Sequence, residues 1–212
     1  MLMLAFTLGG QAPSKDQHLA SVSVASVGAL LAGRYDNSAQ VARGNATAEK
    51  PAPQHVIVSI EPTPLPGWQL WRVHMDVDPA VAQAAGSDTS LEAVWAMNIS
   101  QAEDKSVELI PYTLRPSVSA SALDAATFDA AQWLSLEACA LRGHVGSSRF
   151  VAQVAVDEMC VAEAMGLGGK RAFLPSWVER TGDQLSVQII YSGQPWRVEA
   201  IRVAMPSTSG RN

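Results

Sequence analysis

From His55 onward, apolar residues recur at alternate positions, the period that gives a strand one buried and one polar face. Val56, Val58 and Ile60 share one side of a strand that ends at the turn Pro62-Thr63-Pro64-Leu65-Pro66-Gly67. The next run alternates most cleanly. Trp71, Val73, Met75 and Val77 point one way, and Arg72, His74, Asp76 and Asp78 the other. Further strands are predicted over 91–100, 107–114, 137–142, 149–156, 171–178, 184–191 and 196–203, with Gly, Pro, Asp or Ser in nearly every gap. Two stretches break the rhythm. The Ala-rich run from Gln17 to Leu31 predicts a helix, capped by Asp16 and ended by Gly33. Between Ser119 and Leu134, Leu123, Ala126, Phe128, Ala131 and Leu134 follow helical spacing.

About nine strands in meander order, with no βαβ rhythm, predict a mainly β chain, and closing the sheet into an antiparallel barrel removes its edges. The 212 residues suit one domain over 16–206, between an N-terminal segment 1–15 and a disordered tail 207–212. A hydrophobic content of 48% with 17% charged residues provides for a core and excludes a disordered chain. The net charge of −5, with Lys and Arg nowhere clustered, argues against nucleic acid as a partner. No apolar run approaches the about 18 residues of a membrane span.

Met1 to Leu8, followed by Gly9-Gly10-Gln11-Ala12, reads as the remnant of a signal peptide with a small-residue cleavage site, and so predicts a periplasmic or secreted protein. Cys139 and Cys160 fit either one disulfide or two buried thiols. His18, His55, His74 and His144 are scattered and no CxxC occurs, so no metal site is expected. Signatures of hydrolases, P-loop proteins, dinucleotide binders and zinc proteases are absent. Gly166-Leu167-Gly168-Gly169-Lys170 leads into a strand-like run and reads as a hairpin loop. The polar stripe of Arg72, His74, Asp76 and Asp78 reads as a solvated outer face. His74 beside Asp76 would move protons only if both faced a pocket.

The segment Gly33-Arg34-Tyr35-Asp36-Asn37-Ser38-Ala39-Gln40, after a helix ending Leu30-Leu31-Ala32, resembles the opening motif of the CpcT/CpeT family of bilin chromophore lyases. His55 to Ile60, Leu65-Pro66-Gly67-Trp68, Pro111-Tyr112-Thr113-Leu114, the insert near Phe128 and the two cysteines fall where that family has counterparts, over about residues 25–204. The resemblance implies a calycin- or lipocalin-like antiparallel β-barrel with an N-terminal helix and a short inserted helix. It further implies a cavity for a linear tetrapyrrole and a possible homodimer. The ligand it implies is a phycocyanobilin-like bilin, delivered by a true lyase to a cysteine of a phycobiliprotein in the cytoplasm. The residues implied as ligand contacts are Arg34, suited to a propionate, and Tyr35, Asp36 and Asn37. His74 is added to them as a polar candidate.

The chain departs from the family at three places. The Tyr-Arg-Gln-Arg segment falls at Leu91 to Trp95, where no arginine stands; the Glu-Gln pair falls at His74-Met75; the Asp-Arg-Gly motif falls within Leu185 to Ile190. These losses remove positive charge and an acid from the implied bilin contacts. The expected function is therefore a barrel that binds an apolar small molecule without lyase activity. The alternative is a divergent lyase or bilin carrier using Arg34, Tyr35 and Cys139 or Cys160.

Overall fold

The computed structural model describes residues 23–44, 54–76, 90–120, 123–146, 149–155, 160, 174–191 and 194–204. The leader and tail segments, residues 17–22, Val77, Asp78 and the Gly166–Lys170 loop lie outside the described residues. The helix expected from Gln17 with Asp16 as its cap begins instead at Val24, where the Ser23 hydroxyl accepts from Ser26 N (3.1 Å). Helix α1 (Val24–Leu31) leads into β1 (Gly33–Asp36), and α2 (Ser38–Arg43) follows. The remaining strands are β2 (Val56–Pro62), β3 (Trp68–Asp76), β4 (Ser90–Gln101), β5 (Val107–Leu114), β6 (Trp133–Ser135), β7 (Leu141–Val145), β8 (Arg149–Val154), β9 (Leu174–Thr181), β10 (Gln184–Tyr191) and β11 (Gln194–Val203).

All the pairings are antiparallel. They run β4-β3-β2-β1-β11-β10-β9-β8-β7-β5, and β4 pairs back to β5, so ten strands close into a barrel. The expected β-barrel is thus present. No helix among the described residues is long and apolar enough to cross a membrane.

The barrel is irregular along one edge of β5, and Pro111 is the cause. Its carbonyl accepts from Leu136 N (2.9 Å). In an extended strand the N–H of a residue points to the same side as its C=O, so the donor that proline lacks also faces this edge. The β4–β5 ladder is untouched and runs through Met97↔Pro111. On the other edge one strand cannot run through: β6 pairs with 112–114, β7 with 107–109, and residues 136–140 bulge between them. The strand predicted over 137–142 is corrected accordingly. Residues 137–139 form a 3-10 turn that holds Cys139, and β7 begins at Leu141.

The inserted helix predicted over 119–134 is also corrected. Asp124 and Asp129 each accept from the amide two residues on (Ala126 N and Ala131 N, 2.9 Å each). The chain is therefore capped twice within a few residues and forms single 3-10 turns at Ala125–Thr127 and Ala130–Gln132. Its apolar residues pack outside the barrel, where Ala125 and Trp133 bury Leu70 and Ala96 of the outer wall, with Trp68, Tyr112 and Phe128 around them. Arg72 Nη2 donates to Leu123 O (2.6 Å) and ties the insert down.

The alternation read along β3 is realised. Trp71, Val73 and Met75 are buried, while Arg72 and His74 are half-buried and Asp76 exposed on the outer wall. Inside the barrel Tyr35, Trp71, Trp95, Met97 and Phe150 are each at most 2% exposed. The lumen at these positions is packed with side chains.

Candidate functional site

Gly33–Asp36 of the motif is a strand, so adjacent residues of it face opposite ways, and Asn37 stands at the N-cap position of α2. Arg34 and Asp36 lie on the outer wall and Tyr35 points inward. Arg34 stands between Ser59 of β2 and Val203 of β11. It has no ion pair among the described residues.

Tyr35 is fully buried. Its hydroxyl donates to Leu31 O (2.8 Å) and accepts from Arg180 Nε and Arg202 Nη2 (3.1 Å each). One donor and two acceptor sites exhaust a phenol's capacity. The guanidinium carbons lie 5.5 and 5.6 Å from the ring centroid. Groups bonded to the hydroxyl necessarily fall at about that distance, so these contacts belong to the oxygen and not to the ring face. Arg180, 2% exposed, also donates to Gln184 O (3.3 Å) and pairs with exposed Asp183 (3.6 Å). Arg202 donates to Leu30 O (3.1 Å) and Ala32 O (2.6 Å). The last carbonyls of α1, the negative end of its dipole, thus meet two arginines and a phenol that lock the helix to this end of the barrel. Gly33 permits it: its φ is +147°, and a Cβ there would lie 2.9 Å from Arg202 Nε. The structure therefore assigns Tyr35 to the frame and gives it no face open to a ligand.

Asn37 is buried and equally committed. Its Oδ1 accepts from Val56 N (2.7 Å), and its Nδ2 donates to Gln54 O (2.8 Å) and Gln40 Oε1 (3.1 Å). The side chain continues the β1–β2 ladder where the backbone turns into α2.

Asp36 and His74 belong to one chain of groups on the outer wall. Asp36 accepts from the Ser38 amide (2.6 Å) and bonds the Ser38 hydroxyl. His55 Nε2 lies 3.3 Å from Asp36 Oδ1, and His55 Nδ1 lies 2.8 Å from Asp76 Oδ2. His74 Nε2 is 3.1 Å from Asp76 Oδ1, and His74 Nδ1 is 3.6 Å from Glu92 Oε1. Burial opposes ionisation of Asp36, but the Ser38 hydroxyl and amide and the His55 ring together hold its carboxyl below the ordinary 3.8. The bond to Asp76 is the main cause that raises His55 above its ordinary 6.5; burial opposes it and Asp36 adds to it. The bond to His55 is the main cause that lowers Asp76. His55 spends both ring nitrogens on carboxylates, which leaves it no free nitrogen to take a proton from a substrate. The residues that belong together here are Asp36, His55, His74, Asp76 and Glu92, brought in from β1, β3, β4 and the residue before β2. Sequence reading found Asp36 and His74 and missed His55 as their link, because the link is a cross-strand one.

Among the described residues no group of three or more His, Cys, Asp or Glu is arranged to hold a metal ion. Cys139 and Cys160 are buried and joined by a disulfide.

Among the described residues, depressions outside the lumen include the following two. A cavity of about 60 Å³ between β3 and the insert, lined by Leu70, Asp124, Phe128 and Trp133 among others, has room for a few waters. A groove of about 370 Å³ runs over β8 to β11. Gln153, Trp177, Gln188 and Arg197 are cross-strand neighbours there, one per strand. A bulge in β9 opposite Gln188 brings Ser176 into the same groove, where its hydroxyl donates to Gln188 O (3.4 Å) and accepts from Gln188 Nε2 (3.2 Å). The Arg197 guanidinium stacks on Trp177 at 4.8 Å from the ring centroid. Val154 adds an apolar edge. None of these residues was singled out as a site from sequence, although a Trp on the polar side of an alternating strand was the available signal.

No protein-family model matches this chain and no curated protein matches it, so the candidate site rests on its own geometry.

Proposed function

We propose that this chain is a binding protein, built as a β-barrel of CpcT/CpeT-like pattern, that holds a small molecule on its outer wall and carries no lyase activity. The observation that carries this reading is the groove over β8–β11. Trp177 offers an aromatic face, and Gln153, Gln188 and Arg197, the last also paired with Glu199 (3.5 Å), offer groups for an acid or a carbonyl. The chemistry fits a flat molecule that stacks on Trp177 and carries a polar or anionic edge. The packed lumen supports placing the ligand outside. Trp95 Nε1 is buried there without an acceptor among the described residues, and the nearby arginines are spent on Tyr35 and the α1 carbonyls.

Three observations support the absence of lyase chemistry. Arg34 stands on the wall, away from the lumen. Tyr35 has no free hydroxyl valence. Cys139 and Cys160 are bonded to each other, so neither offers a thiolate. The disulfide also supports an oxidising compartment, periplasmic or secreted.

Titration with 8-anilinonaphthalene-1-sulfonate, a flat apolar anion, tests the reading. Its fluorescence is expected to rise to saturation at one site in the wild type, and Trp177→Ala or Arg197→Ala is expected to weaken binding at least tenfold. Equal binding by both variants would reject the groove. A parallel titration with phycocyanobilin separates the alternative, since a sharpened, red-shifted absorption band would restore the bilin carrier or lyase.

A further inference from the structure

We infer that the acid–imidazole chain on the outer wall is a pH-responsive clamp, in which His55 and His74 fasten the ends of β1 to β4 by bridging Asp36, Asp76 and Glu92. It does not depend on the proposed ligand groove, which lies on other strands.

Donors and acceptors at His55 match only when its ring is protonated. Ionised Asp36 and Asp76 can only accept, and each faces a different nitrogen of the same His55 ring (3.3 and 2.8 Å). A neutral imidazole has one N–H and can serve only one of them; the protonated ring serves both. His74 stands in the same position between Asp76 (3.1 Å) and Glu92 (3.6 Å). Among the described residues, the groups facing His55 and His74 come from each packed element. Asp36 comes from β1 with the Ser38 hydroxyl from α2. His74 and Asp76 come from β3 and Glu92 from β4. Arg72, next along the wall on β3, is turned to Leu123 O. No Lys or Arg is paired with these carboxylates among the described residues, so two imidazoles face three acids. Loss of the second His55 proton leaves Asp36 and Asp76 to share one N–H.

The sign follows from the directions of the shifts. His55 is raised, so its contribution is complete below 6.5 and disappears as pH rises through the folded value. Asp36 and Asp76 are lowered, so their contribution is present above 3.8 and is lost as pH falls through their folded values. The clamp is therefore closed in mildly acidic solution and opens in alkali.

The strands it fastens also meet through their backbones at this point: Asp76 N donates to His55 O (2.9 Å) and Asn37 N to Val56 O (3.2 Å). Opening should appear as lost amide protection at Asp76 and Asn37, corrected for the intrinsic exchange rate. Because the groups are partly exposed, the melting midpoint should fall by only about 2–4 °C between pH 6 and pH 9. His55→Gln should abolish that slope and the protection change, whereas His144→Gln, on β7, should keep both. A wild type with no slope, or a His55→Gln variant that retains it, overturns the inference. Should His55→Gln not fold, NMR titration of the His55 ring in the intact protein decides instead: a midpoint above 6.5 supports the clamp, and one at or below 6.5 refutes it.

Discussion

Tyr35→Phe isolates the lock at the α1 end of the barrel, because it removes one oxygen and leaves the ring in place. That oxygen has three partners: Leu31 O, Arg180 Nε and Arg202 Nη2. Their losses are unequal. Arg202 is exposed and keeps Leu30 O and Ala32 O, so it loses little. Arg180 is 2% exposed and keeps only Gln184 O and a long contact with Asp183. Its Nε–H is left in the core without an acceptor, and the buried Leu31 carbonyl loses its donor. An orphaned buried group costs about 1–3 kcal/mol, more when charged, so the variant should lose about 2–4 kcal/mol. Urea unfolding with the disulfide intact should show a lower midpoint at unchanged slope, and the melting midpoint should fall by roughly 5–15 °C. Arg34→Ala, one residue away, should stay within about 0.5 kcal/mol of wild type because it removes a wall residue with no ion pair among the described residues. If Tyr35→Phe also stays within about 0.5 kcal/mol, the hydroxyl is not the lock described here and Arg180 has another partner.

Reduction of the Cys139–Cys160 bond, or Cys139→Ser with Cys160→Ser, opens a loop between positions 21 apart and should cost about 3 kcal/mol in urea unfolding. Gly143→Ala should cost about 1–3 kcal/mol or more by the same measurement, since the added Cβ would meet Val151 O at 2.5 Å and Ala152 Cβ at 2.6 Å. Folding of this variant at wild-type stability would mean that the β7–β8 approach is looser than these distances.

Much of the barrel was legible because strand alternation is local information. The strand at Gln184–Tyr191 falls on the residues expected, and Trp71, Val73 and Met75 face inward as read. What escaped was set by pairing partners. Pro111 sits inside a strand that reads as continuous, and its consequence falls on residues 136–140, which only the β5 edge brings alongside. In the 119–134 insert the apolar spacing suggested a helix. Asp124 and Asp129, weighed as caps, signal the restarted turns that form instead. The Gly33–Asn37 motif was taken as a cluster of polar contacts. As a strand it divides by parity, with Tyr35 in the core beneath α1 and Arg34 and Asp36 on the wall. His55 was read as the start of a strand, and only the register of β1, β2 and β3 shows it between two carboxylates.

The same parity bears on where a ligand can sit. Small inward residues such as Gly143, Ala152 and Ala200 would suggest a hollow lumen if read alone. At Gly143 and Ala152 the space is already filled, because β7 and β8 approach so closely that a Cβ on Gly143 would overlap its neighbour. Glycine there serves backbone contact, not vacancy. On the neighbouring strands β3 and β4, Trp71 and Trp95 are cross-strand partners with ring centroids 6.2 Å apart. With these rings in the lumen and Arg180 and Arg202 bonded to one phenol, the proposed ligand is placed on the wall, where Arg197 lies over Trp177. The β9 bulge matters for that reason: it turns Ser176 outward beside Trp177, giving four strands a shared groove where regular pairing would leave a plain alternating face.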